Sequence, residues 1–331
     1  MKKLNIIAVA TALTASTSAF ADPMVIEQWS FINEAGFSSF TATKRPSNAV
    51  NHPTLSGDSA NGGTSILVGG SLPDNLCWGD PAGGSGGQQS CLTINSPVSN
   101  NTTQSWDENG VMQDLNGGAP QGNAMTVGKG LDYTSAFKQG TALRHDNFPI
   151  TGQFLDTVTI TDGLQLTAVT PSGTVVNAPQ LSFMVDFWET PNAGLDADGT
   201  CPFGPAAFTA NSVNARGCSD LFEIIGFNND MGGSLNIIAQ GPDYIDFSVK
   251  FKVAGVDASM YHRDYELITR LSGLDVAFDD GRGFATRENG VNILNAQFAI
   301  RAVDAPEPST LAVFAASLLG LAGFSRRKMK K

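Results

Sequence analysis

Residues 244–253 read YIDFSVKFKV, and this stretch decides the fold class. Every second residue from Ile245 onward is apolar, and the residues between them are polar. Successive side chains of a β-strand point to opposite faces, so a period of two predicts a strand with one buried face. The predicted buried face consists of Ile245, Phe247, Val249, Phe251 and Val253.

The same alternation recurs on both sides of this stretch. It is clearest in residues 181–187 and 294–302, and turn signals such as Asp162-Gly163 separate the shorter candidates. An all-β fold is therefore predicted, a jelly-roll-like β-sandwich in which two sheets bury their apolar faces against each other. The shorter candidate strands are residues 154–160, 164–169, 221–227 and 234–239.

The body of the protein is interpreted as one domain with long loops, residues 22–305. Its first part, up to about Gly140, is dense in Asn, Ser, Gly and Thr. This part is predicted to supply edge strands and surface loops. Two sandwiches divided near Gly140 are the alternative.

The composition supports a turn-rich β protein. The 331 residues include 36 Gly and 16 Pro, too many for a helical bundle and too few for collagen or a low-complexity tract. The chain has 20 Lys and Arg against 31 Asp and Glu, a net charge of −11, and residues 22–305 alone have 13 against 30, a charge of −17. Such an acidic body excludes a basic nucleic-acid-binding protein, so no nucleic-acid partner is expected.

The amino terminus has the order of a secretory signal peptide. Lys2 and Lys3 precede an apolar, small-residue stretch over residues 4–20, and Ala19-Phe20-Ala21 fits the cleavage-site preference for small residues. Residues 1–21 are therefore predicted to form a signal helix that directs export. A permanent span is the alternative, but the apolar run is short and is interrupted by Thr and Ser.

Export would place the four cysteines in an oxidising compartment, where thiols pair. Four cysteines allow three pairings, and we predict the two local ones. These are Cys77 with Cys91 and Cys201 with Cys218, each closing a short surface loop. A zinc site is the alternative, but the sequence has no Cys-x-x-Cys spacing and no paired histidines.

The carboxyl terminus has three parts in a fixed order. Pro306-Glu307-Pro308 is followed by residues 309–324, which carry no charge, and then by a basic run that ends at Lys331. An ordinary membrane span has about 20 residues, and the uncharged segment is somewhat shorter. It can still halt in the bilayer as a transmembrane helix. The basic run would stay cytoplasmic, which leaves the body outside the inner membrane.

Together these three parts resemble the PEP-CTERM sorting signal of Gram-negative bacteria that secrete exopolysaccharide. The resemblance covers residues 306–331. It implies a processing partner, an exosortase, which is an integral-membrane, cysteine transpeptidase-like enzyme that removes the tail. It also implies transient insertion in the inner membrane, followed by release or by attachment at the cell surface. A permanent membrane anchor is the alternative.

Three histidines, His52, His145 and His262, limit the options for catalysis. The sequence has no Gly-x-Ser-x-Gly elbow or comparable nucleophile motif. Each His is therefore expected to be structural and hydrogen-bonded at a sheet edge. No enzymatic activity and no cofactor are predicted.

The segment around His145 supports a second resemblance. Arg144-His145-Asp146-Asn147, with Pro149 after it, is similar to the motif of a PEP-CTERM family named THxN for Thr-His-x-Asn. His and Asn match, whereas Arg144 replaces the Thr and so removes its hydroxyl. Trp78-Gly79-Asp80-Pro81 and Gly87-Gln88-Gln89-Ser90 resemble the family's upstream stretches. The resemblance implies no known activity.

Two interpretations of this motif stay open. His145 and Asn147 are two positions apart, so in a strand they point to the same face and can hold one ligand. Alternatively they pin a loop, with Asn147 capping backbone groups before Pro149. The second interpretation is preferred.

Calcium is the only metal that the sequence brings into consideration. Asp196 and Asp198 lie in the segment NAGLDADG, residues 192–199, and Asp279-Asp280-Gly281 forms a second acidic turn. The acidic loop of a complete calcium site, with its distal Glu, is missing. Solvated turns are therefore preferred, and no metal site is assigned.

These features predict an exported cell-surface or extracellular-matrix protein that acts by display among exopolysaccharide rather than by turnover. A secreted carbohydrate- or calcium-binding module is the first alternative, with Trp78, Trp106 and Trp188 as aromatic platforms. A secreted hydrolase is the second, and it would need paired acids or a His-linked nucleophile in a pocket.

Overall fold

The structure is a computed structural model, and nine stretches of the chain are described. No helix in them is long and apolar enough to cross a membrane. The predicted signal helix, the predicted transmembrane helix and Pro306-Glu307-Pro308 all lie outside them. The described residues are 23–44, 52–82, 87–102, 104–169, 175–178, 180–229, 236–253, 260–277 and 282–303.

Within these stretches the chain forms β-strands and two short 3-10 turns, Leu115–Gly118 and Thr134–Ala136, but no α-helix. The all-β prediction is therefore confirmed. The strands are β1 (Gln28–Lys44), β2 (Thr54–Ser56), β3 (Asn75–Trp78), β4 (Asp80–Pro81), β5 (Ser90–Ile94), β6 (Val98–Ser99), β7 (Gln104–Trp106), β8 (Met112–Asp114), β9 (Ala124–Val127), β10 (Lys138–Asn147), β11 (Ile150–Thr151), β12 (Gln153–Ala168), β13 (Val175–Asn177), β14 (Leu181–Trp188), β15 (Asp220–Asn229), β16 (Asn236–Gln240), β17 (Tyr244–Lys252), β18 (Asp264–Ser272), β19 (Asp275–Val276), β20 (Gly283–Thr286) and β21 (Gly290–Ala302).

Most strands belong to two antiparallel sheets. The first sheet has the order β9–β1–β12–β14–β15–β20–β19, with β6 beside β1 and β13 beside β12. The second sheet has the order β16–β17–β18–β21–β10–β5–β3–β2. Strand β9 also pairs with β21 in parallel, so hydrogen bonding continues from one sheet into the other.

The two sheets face each other across shared apolar clusters. The Trp29 ring, on β1 of the first sheet, meets the Tyr265 ring, on β18 of the second, at 5.4 Å between centroids. Phe31 and Phe298 make a second contact between the sheets at 4.8 Å. The arrangement is sandwich-like, as predicted. The jelly-roll order is not confirmed, because consecutive strands such as β16, β17 and β18 form a simple meander.

The strand predicted from YIDFSVKFKV is confirmed as β17, and all five residues of its predicted apolar face are buried. The opposite face is less exposed than its polarity suggests. Asp246 is fully buried, because Arg270 on β18 binds it through two hydrogen bonds of 2.7 and 2.8 Å. A buried carboxylate needs such a partner, so the pair lets the first half of β17 bury both faces, whereas Lys250 and Lys252 stay exposed.

The turn expected at Asp162-Gly163 is wrong, and residues 154–160 and 164–169 belong largely to one long strand, β12. Strand β1 pairs with β12 along almost its whole length. At the expected turn, Asn33 Nδ2 donates to Asp162 Oδ1 at 2.7 Å and to the Gly163 carbonyl oxygen at 2.9 Å. These contacts keep the backbone extended through the Gly.

The first part of the body contributes more than edge strands and loops. Strand β1 is flanked by β12 on one side and by β6 and β9 on the other, and β5 lies between β3 and β10. One apolar cluster contains Phe37 and Leu76 together with Phe222 and Leu294. Residues from both sides of Gly140 thus share one core.

Both predicted disulfides are present, and no free cysteine remains. Cys77 and Cys91 occupy paired positions on the neighbouring strands β3 and β5. Cys201 and Cys218 close a loop of 17 positions between β14 and β15. In the chain-entropy model, loops of these sizes each contribute about 3 kcal/mol to stability.

Candidate functional site

One end of the sandwich brings together the ends of strands from both sheets. Strands β10, β14 and β20 end there, and β15 and β21 begin there. Asn147 pairs with Gly290, and Asp220 pairs with Thr286. Polar side chains far apart in the sequence therefore meet at this end. We call this region the polar end, and it comprises Trp78, His145, Asn147, Glu189, Asn192, Ser219, Asp220 and Glu288.

His145 is buried in an aromatic stack at the polar end. Its ring lies on the Trp78 indole with centroids 5.6 Å apart and meets the Phe187 ring edge-on at 5.2 Å. Neither ring nitrogen has a hydrogen-bond partner among the described residues. Burial lowers the pKa of His145 to about 3, so the ring is neutral at physiological pH. The expected hydrogen-bonded position at a sheet edge is wrong for His145, because β10 lies between β5 and β21.

The THxN-like segment divides between the two faces of β10. Arg144 Nη2 and Asp146 Oδ1 form an ion pair at 2.8 Å on the less buried face. His145 and Asn147 share the buried face, as predicted from their spacing. Asn147 Nδ2 donates to the Thr286 carbonyl oxygen at 3.4 Å, which links the second sheet to the first. Ligand binding by this pair and pinning of a loop before Pro149 both stay predictions.

Two carboxyl groups, those of Asp220 and Glu288, lie near Asn147, and the Glu189 carboxyl group lies near both of them. The pairing of β14 with β15 places Glu189 beside Asp220, and Glu288 lies in the turn between β20 and β21. Asp220 and Glu288 are fully buried. The Asn147 amide interacts with both, and the Asn192 amide interacts with Glu288. Sequence reasoning missed these three acids. Glu189 and Asp220 lie beside predicted strand segments, whereas no sequence pattern marks Glu288.

Burial raises the pKa values of all three carboxyl groups, and neighbouring carboxylates add to the rise for Asp220 and Glu189. Burial raises the pKa of Glu288 to about 7, although the Asn192 and Asn147 amides oppose the rise. Burial and then the Glu288 charge raise the pKa of Asp220 well above its ordinary value. Burial and then the charges of Asp220 and Glu288 do the same to the pKa of Glu189.

Many acceptor oxygens at the polar end lack a donor. Buried polar atoms are nearly always paired, so a group of unpaired acceptors requires an explanation. In the described stretches, no group of three or more His, Cys, Asp or Glu side chains could hold a metal ion. The buried oxygens without a partner are Asn147 Oδ1, Glu189 Oε2, Asn192 Oδ1, Asp220 Oδ2 and both carboxyl oxygens of Glu288.

The other two histidines are hydrogen-bonded and lie away from this cluster. His52 Nδ1 lies 2.7 Å from Gln153 Oε1, and His262 Nε2 lies 2.7 Å from the Asp264 carbonyl oxygen. These contacts agree with the structural role predicted for both.

The two aspartates considered for calcium lie in an exposed loop. Asp196 Oδ1 accepts hydrogen bonds from the backbone N–H groups of Asp198 and Thr200, at 3.0 and 3.1 Å. These backbone bonds lower the pKa of Asp196, with Thr200 as the largest cause. The loop thus uses this carboxylate internally, and calcium binding there stays a prediction. Asp279 and Asp280 lie outside the described residues.

The three predicted aromatic platforms differ in exposure. Trp78 is fully buried in the core, so its prediction as a platform is wrong. Trp188 is 50% exposed at the end of β14 and lines a groove of about 350 Å³ together with Asp156 and Asp186. Trp106 is partly buried and lines a second groove of about 260 Å³.

The described residues define an all-β, sandwich-like protein with a buried polar end. The sequence matches the family model of the PEP-CTERM protein-sorting motif over residues 304–328. The match confirms the motif at Pro306-Glu307-Pro308 and indicates an exported protein that an exosortase processes after transient anchoring at the membrane. No curated protein matches the chain. The THxN resemblance is not confirmed and stays a prediction.

Proposed function

We propose that this chain is a non-catalytic protein of the cell surface or extracellular matrix, displayed among exopolysaccharide after an exosortase has processed its tail. The observation that carries the proposal is the sorting motif over residues 304–328. The charge of −17 over residues 22–305 also supports it, because strong net charge keeps a displayed protein soluble. The THxN-like segment supports membership of a family of exported proteins with the same tail.

Intact-mass analysis of the mature protein, isolated from the envelope and from the medium, tests this proposal. The expected masses lack residues 1–21 at the amino terminus and the basic run that ends at Lys331. An added mass at the new carboxyl terminus would identify attachment, whereas its absence would identify release. A mature protein that keeps its basic run contradicts the proposal.

Carbohydrate binding is the second candidate, and the groove at Trp188 favours it. Sugar rings stack on exposed aromatic faces, and carboxylates accept hydrogen bonds from their hydroxyls. Trp188, Asp156 and Asp186 provide both in one groove, and Thr43 Oγ1 donates to Asp156 Oδ1 at 2.6 Å, which orients that carboxylate. The strongly acidic body favours a neutral polysaccharide over an acidic one.

Replacing Trp188 by Ala should weaken binding to purified neutral exopolysaccharide by about tenfold or more, because the stacking surface is lost. Affinity electrophoresis measures the change. Met184→Ala is the matched control, since Met184 is another exposed apolar residue of β14 and does not line the groove. Equal binding by the Trp188 variant and the native protein would exclude this groove as the binding site.

A further inference from the structure

We propose that the space between the two sheets binds one small apolar molecule that carries a hydroxyl group, with the Asp162 carboxyl group as the acceptor of that hydroxyl. The space lies between β12, β14 and β15 of the first sheet and β5, β10, β18 and β21 of the second. We call it the core cavity. The proposal depends neither on the sorting of the protein nor on carbohydrate binding.

The core cavity is large for the interior of a protein, with a volume of about 80 Å³. Protein interiors are close-packed, and few of their voids are larger than a water molecule. One water needs about 10–15 Å³, so the core cavity has room for about six waters, or for a molecule of about six to eight carbon atoms. An empty cavity lowers stability in proportion to its volume, so this space is more favourable when a molecule fills it.

The lining of the core cavity is almost entirely apolar. Among the lining residues that the structure describes, only Thr141, Asp162 and Thr269 are polar. Four phenylalanine rings, from β14, β15 and β17, form part of the apolar wall. A buried water needs two to four polar partners, which most of this wall cannot offer, whereas apolar molecules enter such cavities. The lining therefore favours an apolar ligand with one polar group.

Asp162 occupies a position of β12 at which an apolar side chain is expected. Val158, Ile160 and Leu164 lie at intervals of two on the same strand and belong to the apolar clusters or pack against them. Asp162 lies between Ile160 and Leu164 in this row and lines the core cavity. Polar groups weaken a core unless they form hydrogen bonds, so a carboxyl group at this position indicates a polar partner.

The Asn33 side chain fixes the orientation of the Asp162 carboxyl group. Asn33 Oδ1 accepts a hydrogen bond from the Thr141 backbone N–H at 2.8 Å, and Nδ2 donates to Asp162 Oδ1 and to the Gly163 carbonyl oxygen. Burial raises the pKa of Asp162 to about 6, and the Asn33 hydrogen bond opposes this rise. A ligand hydroxyl that donates to Asp162 Oδ2 would give the carboxyl group a second donor.

The sheets enclose the core cavity because hydrogen bonding joins them along one side. Strand β9 pairs with β1 of the first sheet and with β21 of the second. A sheet that closes on itself can surround a space for one small ligand. The same pairing that unites the two sheets therefore provides the wall of the proposed site.

Toluene and benzyl alcohol test the proposal with the purified exported protein. Both molecules suit the volume of the core cavity, and only benzyl alcohol has a hydroxyl group. At ten times its Kd, each compound should raise the melting temperature by about 2 °C or more. Titration calorimetry measures the two Kd values. If the native protein binds neither compound, the proposal is wrong.

Filling the core cavity should abolish the binding of both compounds. Ala296→Leu adds three carbon atoms at a lining position of β21 that is only partly buried, so the variant is expected to fold. Ala239→Leu is the matched control, since Ala239 is a partly buried residue of β16 that does not line the cavity. This control should bind both compounds as the native protein does. Unchanged binding by Ala296→Leu would place the compounds elsewhere and overturn the proposal.

Asp162→Leu tests the carboxyl group as the acceptor of the ligand hydroxyl. Leu has the same branching as Asp, and Asn33 keeps its hydrogen bonds to Thr141 and Gly163 in this variant. The variant should bind toluene about as well as the native protein does, and benzyl alcohol at least tenfold more weakly. Unchanged affinity for benzyl alcohol, or an equal loss of both compounds, would contradict the role assigned to Asp162.

Discussion

Replacing both Pro306 and Pro308 by Ala is expected to abolish processing of the tail, so that no mature form accumulates. The motif at residues 304–328 contains both prolines, and residues 309–324 remain unchanged in this variant. Insertion in the membrane depends on the apolar segment and its basic flank, whereas recognition depends on the motif. The variant should therefore insert normally and stay uncut in the inner membrane.

Membrane fractionation followed by intact-mass analysis measures this result. The uncut variant should retain the basic run from Arg326 to Lys331, whereas the native protein should lose it. Pro205→Ala, a change of the same kind at an exposed position of the body, should be processed normally. Normal processing of the double variant would show that the prolines are not read by the exosortase. The tail would then act through its hydrophobic segment alone.

The sequence predicted the fold class well because strand patterning is local. Phe247 and Phe251 on β17 are buried as the period of two requires, and both disulfides join cysteines that are near in sequence. The predicted turn at Asp162-Gly163 failed because Asn33, more than a hundred residues away, holds that backbone extended. A local turn signal was thus overruled by strand pairing.

The candidate site could be predicted only in part, for the same reason. His145 and Asn147 share a face because they are two positions apart on one strand. Glu189 and Asp220 lie at the two ends of the connection from β14 to β15, and Glu288 lies in the turn between β20 and β21. Only the pairing of β14, β15 and β20 brings these three acids together. Trp78 was misjudged as a surface platform because composition cannot tell a core aromatic residue from an exposed one.

His145→Phe is expected to make the protein markedly less sensitive to acid. In the folded native protein the pKa of His145 is about 3, whereas its ordinary value is 6.5. As pH falls, His145 is therefore protonated in the unfolded chain before it is protonated in the folded protein, which favours unfolding. The contribution of His145 to stability is complete above pH 6.5 and is lost progressively down to about pH 3. At pH 4.5 the loss amounts to about 2–3 kcal/mol relative to pH 7.

Phe suits this position because the His ring makes aromatic contacts with Trp78 and Phe187 and neither of its nitrogens is hydrogen-bonded within the described residues. The variant should thus be as stable as the native protein at pH 7. Denaturant unfolding at pH 7 and pH 4.5 measures the difference. The carboxyl groups at the polar end have the opposite effect on the pH dependence of stability, because their pKa values are raised. Their contribution to stability is present at low pH and is lost as pH rises.

These carboxyl groups are present in both proteins, so the comparison between the two cancels their contribution and isolates that of His145. Parallel stability profiles for the native protein and the variant would mean that the His145 ring reaches solvent or a donor in solution, contrary to its burial beside Trp78. A variant that is stable at pH 7 but has lost binding to exopolysaccharide would support the ligand-site interpretation of His145 and Asn147. Unchanged binding, together with the expected acid resistance, would assign His145 to packing and contradict the ligand-site interpretation of the pair.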